Sequence, residues 1–140
     1  MKITEVLVAE HAIFLGVFEQ IQRALPGCAT LSELRRMAGI VEGLLRPHGE
    51  TEANLAYVAL DQALAERGPV DRLYQDHEEI DSRFHKLQSA RDLPEAMRLL
   101  TEAVAAMRTH FEHEERVDFP LLEQTLMAET IGQLGTAWME

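Results

Sequence analysis

The chain of 140 residues is long enough for one domain with a substantial core, and its 46% hydrophobic content excludes disorder. Its 24 acidic against 13 basic residues give a formal charge of −11, which excludes a general nucleic-acid binder and disfavours docking on an anionic membrane. Cys28 is the single cysteine, so no internal disulfide forms; MKITEVLVAEHAIF becomes charged too early for a signal peptide, no apolar run nears the ~20 residues that span a bilayer, and a cytoplasmic protein is expected.

Val6, Leu7, Ile13, Phe14, Val17, Phe18, Ile21 and Leu25 recur at helical spacing until Pro26-Gly27, which predicts a first helix over 3–25. Thr30 or Ser32 caps a second, with Glu33 completing a capping box and Leu34, Met37, Ile40, Val41, Leu44 and Leu45 on its apolar face. Pro47 lies inside this helix, where it removes a bond to the carbonyl of residue 43 and predicts a kink that Gly43 eases. The helix should run to residue 55 and then give way to a short helical or irregular stretch. Gly68-Pro69 punctuates before a third helix over 70–90, and Pro94 suits the first turn of a fourth over 94–117. Pro120 is expected to end or bend it. The prediction is an all-α fold: an up-down-up-down four-helix bundle with a short C-terminal helical tail, forming a single domain over 1–140. Met37, Met97, Met107 and Met127 read as core filler.

The chain also repeats itself, with halves at about 1–66 and 70–128. HGETEANLAYVALDQAL (48–64) aligns without a gap on HFEHEERVDFPLLEQTL (110–126), pairing His48 with His110, Glu52 with Glu114 and Tyr57 with Phe119. Glu10-His11 aligns in the same way on Asp76-His77, followed by Phe14 on Ile80 and Phe18 on Phe84. Each half thus supplies a lone histidine from its first helix and His-x-x-x-Glu from its second. Residues i and i+4 of a helix differ by about 40° in direction and about 6 Å along the axis, so each His/Glu pair shares a face. His11, His48, Glu52, His77, His110 and Glu114 are therefore the candidate metal ligands. Four imidazoles and two carboxylates about a pseudo-twofold axis suit a pair of iron ions, and burying them without a cation is costly. One or two of Glu10, Asp76, Glu50, Glu78 and Glu112 are expected to accept a bond from the far nitrogen of a ligand imidazole. His85 and His113 are turned away from the pairs by the helical rotation and are read as peripheral.

These residues resemble the hemerythrin-like, or HHE cation-binding, domain: His11, His48-x-x-x-Glu52, His77 and His110-x-x-x-Glu114, with HFEHEERVDFP similar to that family's HFxxEExxxFP signature. The resemblance covers nearly the whole chain. It implies a bundle holding two iron ions bridged by the two glutamates and an oxo or hydroxo group, with zinc or another divalent metal as a substitute, and oxygen, peroxide or nitric oxide as the small-molecule partner. The oxygen-carrying members have a second histidine four residues after the one on the third helix, and an aspartate five residues after the one on the fourth. Here these positions are Asp81 and Glu115, which leaves one iron poorer in nitrogen unless Asp81 or Tyr74 completes it. Sensing or reacting with the small molecule then fits better than reversible carriage. The alternatives are iron or cation buffering without redox turnover, or a structural, partner-binding bundle. The sequence assigns no reaction, protein partner or oligomeric state.

Overall fold

The computed structural model describes residues 1–66 and 68–140, and every regular element among them is helical. Helix α1 spans Ile3–Ala24 and α2 spans Leu31–Glu52; a π-helical turn, Ala53–Tyr57, joins α2 to α3, Val58–Ala63. Helix α4 is Gly68–Gln88 and α5 is Leu93–His113; a second π turn, Glu114–Asp118, leads into α6, Phe119–Thr125. Helix α7, Ala128–Met139, is the tail. No helix among the described residues is long and apolar enough to cross a membrane.

The ends of the long helices follow their local chemistry. Thr30 Oγ1 accepts from the Glu33 backbone N–H at 3.1 Å, the expected cap, while Glu33 Oε2 reaches back to the Ala29 N–H at 3.0 Å, one residue before the Thr30 N–H of a full capping box. Asp92 and Glu95 repeat it at the start of α5, with Pro94 in the first turn. The stretch expected after residue 55 is helical, continuing as α3 to Ala63, and the fourth helix ends at His113, before Pro120, with α6 carrying helix on to Thr125. In each case a π turn breaks the α register, and Pro120 then falls in the first turn of a restarted α segment, where its missing N–H costs little.

Two apolar clusters form the interior. One gathers Phe18 and Ile21 of α1, Leu34 and Val41 of α2, Phe84 and Leu87 of α4, and Leu100 and Phe111 of α5. The other gathers Ile3 and Leu7, Tyr57 and Leu60, Val70 and Leu73, and Phe119 and Leu122. Helices α1 and α4 therefore run from the second cluster to the first, while α2 and α5 run the opposite way. On α1, α2 and α4 the candidate ligands fall between the clusters, and His110 and Glu114 flank Phe111 at the edge of the first, so the polar groups form a band between two hydrophobic cores. Burying each Leu or Phe contributes about 1.5–3 kcal/mol, which is what holds that band closed.

Some apolar residues of the expected faces lie outside this interior. Ile13, Ile40 and Leu44 are exposed, as is Met127, so the filler role holds for Met107 and partly for Met37 and Met97 but not for Met127. The tail packs against α1, and Gly135 makes this possible: a Cβ there would lie 2.1 Å from the Met1 carbonyl oxygen and 2.9 Å from the Ile3 nitrogen.

Candidate metal centre

The six candidate ligands converge from four helices. His11 (α1), His48 and Glu52 (α2), His110 (α5) and Glu114 are all buried, and His77 (α4) is half-buried. Two groups have ligand atoms within 4.8 Å of one another: His11, His48 and Glu52, and then Glu52, His77 and His110. Glu52 belongs to both. Glu114 lies across the centre from it, with Oε1 3.1 Å from His110 Nε2 and 3.5 Å from His11 Nε2. Glu52 Oε2 is 3.4 Å from His48 Nε2, and Oε1 is 3.1 Å from His77 Nε2.

Acids on α1 and α4 hold the imidazoles of α2 and α5. His48 Nδ1 donates to Glu10 Oε2 at 2.6 Å, and His110 Nδ1 pairs with Asp76 Oδ2 at 3.1 Å. The residue before each lone histidine thus orients the other histidine of its own half of the repeat. This fixes a tautomer with the proton on Nδ1 and a bare lone pair on Nε2 directed into the centre. Glu10 and Asp76 both belong to the set of acids expected in this role; Glu50 lines the cleft described below instead. Glu10 is held in turn by the indole N–H of Trp138, which donates to its Oε1 at 2.9 Å.

Sequence reasoning aligned Tyr57 with Phe119 beneath the site but missed the contacts of its hydroxyl. That hydroxyl lies 2.6 Å from Glu52 Oε1, 3.0 Å from Glu114 Oε2 and 2.9 Å from His77 Nε2. The π turn puts it there: the wider turn brings residue 57 back beneath residue 52, where α geometry would carry it round the helix. Tyr74, one of the two residues expected to complete the coordination, instead stands edge-on to the Tyr57 ring at 5.5 Å, and Asp81 is exposed at the rim of a cleft. His85 is exposed, and His113 sits beside Arg72 and Asp118, so both are peripheral as expected.

Lone pairs outnumber protons at this centre. Tyr57 has one proton for three acceptors, and His77 Nε2 lies 3.1 Å from His110 Nε2. Both ring nitrogens of His11, His48 Nε2, Glu52 Oε2 and Glu114 Oε1 are buried without a hydrogen-bond partner. Each such group costs about 1–3 kcal/mol, and a cation is the one partner that satisfies the inward-facing ones together, His11 Nδ1 facing Glu115 instead at 3.7 Å. The donor set therefore fits a metal pair.

The electrostatics agree. Burial lowers the His11 pKa to about 3, so this imidazole is neutral and available as a ligand. Burial also pushes Glu114 well above the ordinary carboxylate range, reinforced by the neighbouring charge of Glu52. Glu52 is desolvated as well, yet the neighbouring imidazoles of His48 and His77 hold it well below that range. Two buried carboxylates this close do not both ionise without a cation between them. Tyr57 is raised well above its usual value by burial and by both glutamates.

Comparison with protein families finds that the model of the hemerythrin HHE cation binding domain matches residues 2–122. No curated protein matches the chain, and no solved structure does.

Proposed function

Because the chain belongs to the hemerythrin HHE cation-binding domain family, we propose that its centre holds two iron ions and that it binds, senses or detoxifies oxygen, peroxide or nitric oxide there. In this reading the four long helices form an up-down-up-down four-helix bundle around the site, with α7 as an added tail. His11 and His48 would hold one ion and His77 and His110 the other, with the carboxylates of Glu52 and Glu114 available to the pair. When bound, such a pair supplies one-electron redox chemistry and an exchangeable position for a small ligand.

The protein's own contribution is to prepare the donors. Glu10 and Asp76 keep the Nε2 lone pairs of His48 and His110 pointed inward. Tyr57 ties Glu52 to Glu114 and keeps a proton beside both carboxylates. The two apolar clusters exclude water from above and below. The observation that carries the proposal is the convergence of six ligand side chains from four helices, with buried atoms of His11, His48, Glu52 and Glu114 left without a partner.

Metal analysis of the purified protein tests it together with two substitutions. His110→Ala and Glu114→Ala should abolish binding of the pair, and His85→Ala should leave it intact. The opposite pattern would place the centre elsewhere.

A further inference from the structure

The two halves of the repeat are not equivalent around the centre, and the difference lies in four positions. Phe111 stacks on the His11 ring at 3.9 Å with the planes 12° apart, and Phe119 lies 5.5 Å from the same ring. The aligned residues of the other half are Gly49 and Tyr57. On the first side, Trp138 of the tail adds an edge contact to His48 at 5.6 Å, and His11 is 1% exposed. On the other side no side chain stands at residue 49, and the His77 side chain remains 22% exposed.

A cleft of about 490 Å³ opens over this gap. It reaches His77, His110 and Glu52, the whole of the second ligand group, and borders His48 of the first, but it does not reach His11. Its inner wall is apolar, with Leu45, Ile80, Phe84, Met107 and Phe111. Its mouth carries Glu42, Glu50 and Asp81 against Arg46, and Arg46 is already paired with Glu42 at 2.5 Å. An acidic mouth on a chain of charge −11 repels anions. A second cleft, between α4 and α5, touches His110, but Asp76 stands there on the Nδ1 side of the ring.

We propose that an uncharged small ligand reaches the centre from one side only, through the cleft between α2 and α4, passing over Gly49 to the His77 end. This rests on the di-iron reading above and adds to it the route and the end of the site that is used. Gly49 is the aperture. A Cβ at this position would sit 3.6 Å from His77 Cε1, an ordinary contact, so alanine fits while a longer side chain extends into the cleft that residue 49 lines. The closed end has its own surface hollow, about 390 Å³ lined by Val8, Glu115 and Phe119, which serves as the comparison.

The test is stopped-flow association of nitric oxide with the anaerobic, iron-loaded, reduced protein, with iron content and helical circular dichroism measured on each variant. Gly49→Leu should slow association about tenfold with iron content unchanged, and Val8→Trp should leave it at the parent rate. Asp81→Trp, at the exposed mouth and away from the centre, is a second plug and should also slow it. Azide association with the oxidised protein should quicken as salt screens the acidic mouth. Equal rates in parent and Gly49→Leu, slowing by Val8→Trp instead, or an unaffected Asp81→Trp should Gly49→Leu fail to load iron, would each overturn the route. Azide slowing with salt would overturn the preference for an uncharged ligand. If the parent itself binds no iron, the di-iron reading fails first, and the iron assay shows this separately.

Discussion

Replacing Glu114 by glutamine should make the metal-free protein more stable while destroying its capacity for the metal pair. Glu114 is 0% exposed and is desolvated beside Glu52, so its carboxyl is pushed towards the neutral form. Its Oε2 lies 3.0 Å from the Tyr57 hydroxyl, and its Oε1 is 3.1 Å from His110 Nε2 with no hydrogen-bond partner. An amide of the same shape keeps the acceptor for Tyr57. It also turns an N–H towards His110 Nε2, which offers a lone pair because the Nδ1 proton faces Asp76. One orphaned acceptor disappears, no buried charge is needed, and the gain is about 1–2 kcal/mol. For a domain of this length that raises Tm by about 3–8 °C. The assay is thermal unfolding by circular dichroism after chelation, then again after iron is restored. Iron held well above its Kd stabilises a protein by about 3 kcal/mol, so the parent Tm should climb with iron and that of Glu114→Gln should not. A variant less stable than the parent without metal, and equally stabilised by iron, would refute the reasoning, because Glu114 would then be a structural group and not a ligand.

Three further outcomes follow from the same geometry. Tyr57→Phe leaves Glu52, Glu114 and His77 without their shared proton and should lower the urea midpoint of the metal-free protein by the equivalent of about 1–3 kcal/mol; an unchanged midpoint would mean the hydroxyl is not satisfying them. Trp138→Phe keeps the ring against His48 but loses the N–H to Glu10, and should weaken iron retention about tenfold in a chelator competition, whereas an unaltered release rate would make the tail a bystander. For pH, the folded value of His11, about 3, lies below its ordinary 6.5, so the unfolded chain takes up the proton first. The stability His11 confers is complete above pH 6.5 and falls as pH drops from there towards 3. Asp118, raised to about 6 by burial, acts in the opposite sense and loses its contribution as pH rises through 6. Urea titrations of metal-free parent and His11→Asn should therefore show a steeper acid loss in the parent, and parallel curves would contradict the assignment.

The convergence of the candidate ligands was legible in the sequence because α-helical geometry ties the i and i+4 positions of His48/Glu52 and His110/Glu114 to one face, whatever else the chain does. His11 and His77 carry no such local signature and became readable only by laying one half of the chain on the other. The supporting acids Glu10 and Asp76 were visible as candidates, but their pairing across helices is a tertiary fact. The contacts of the Tyr57 hydroxyl were hidden for a definite reason: an α register turns it away from Glu52, and only the π turn returns it. The contact between Trp138 and Glu10 joins residues 128 apart in sequence, beyond any periodicity. Ile13, Ile40 and Leu44 show the limit of pattern reading, since an apolar stripe wider than its neighbour can cover leaves its margin in water.

Iron content measured on the intact protein, with the optical spectrum of the oxidised form, tests the central claim most directly. The account predicts about two irons per chain and charge-transfer absorption of a bridged ferric pair, both lost in His110→Ala. A protein that takes up no metal, or a single zinc, would contradict it.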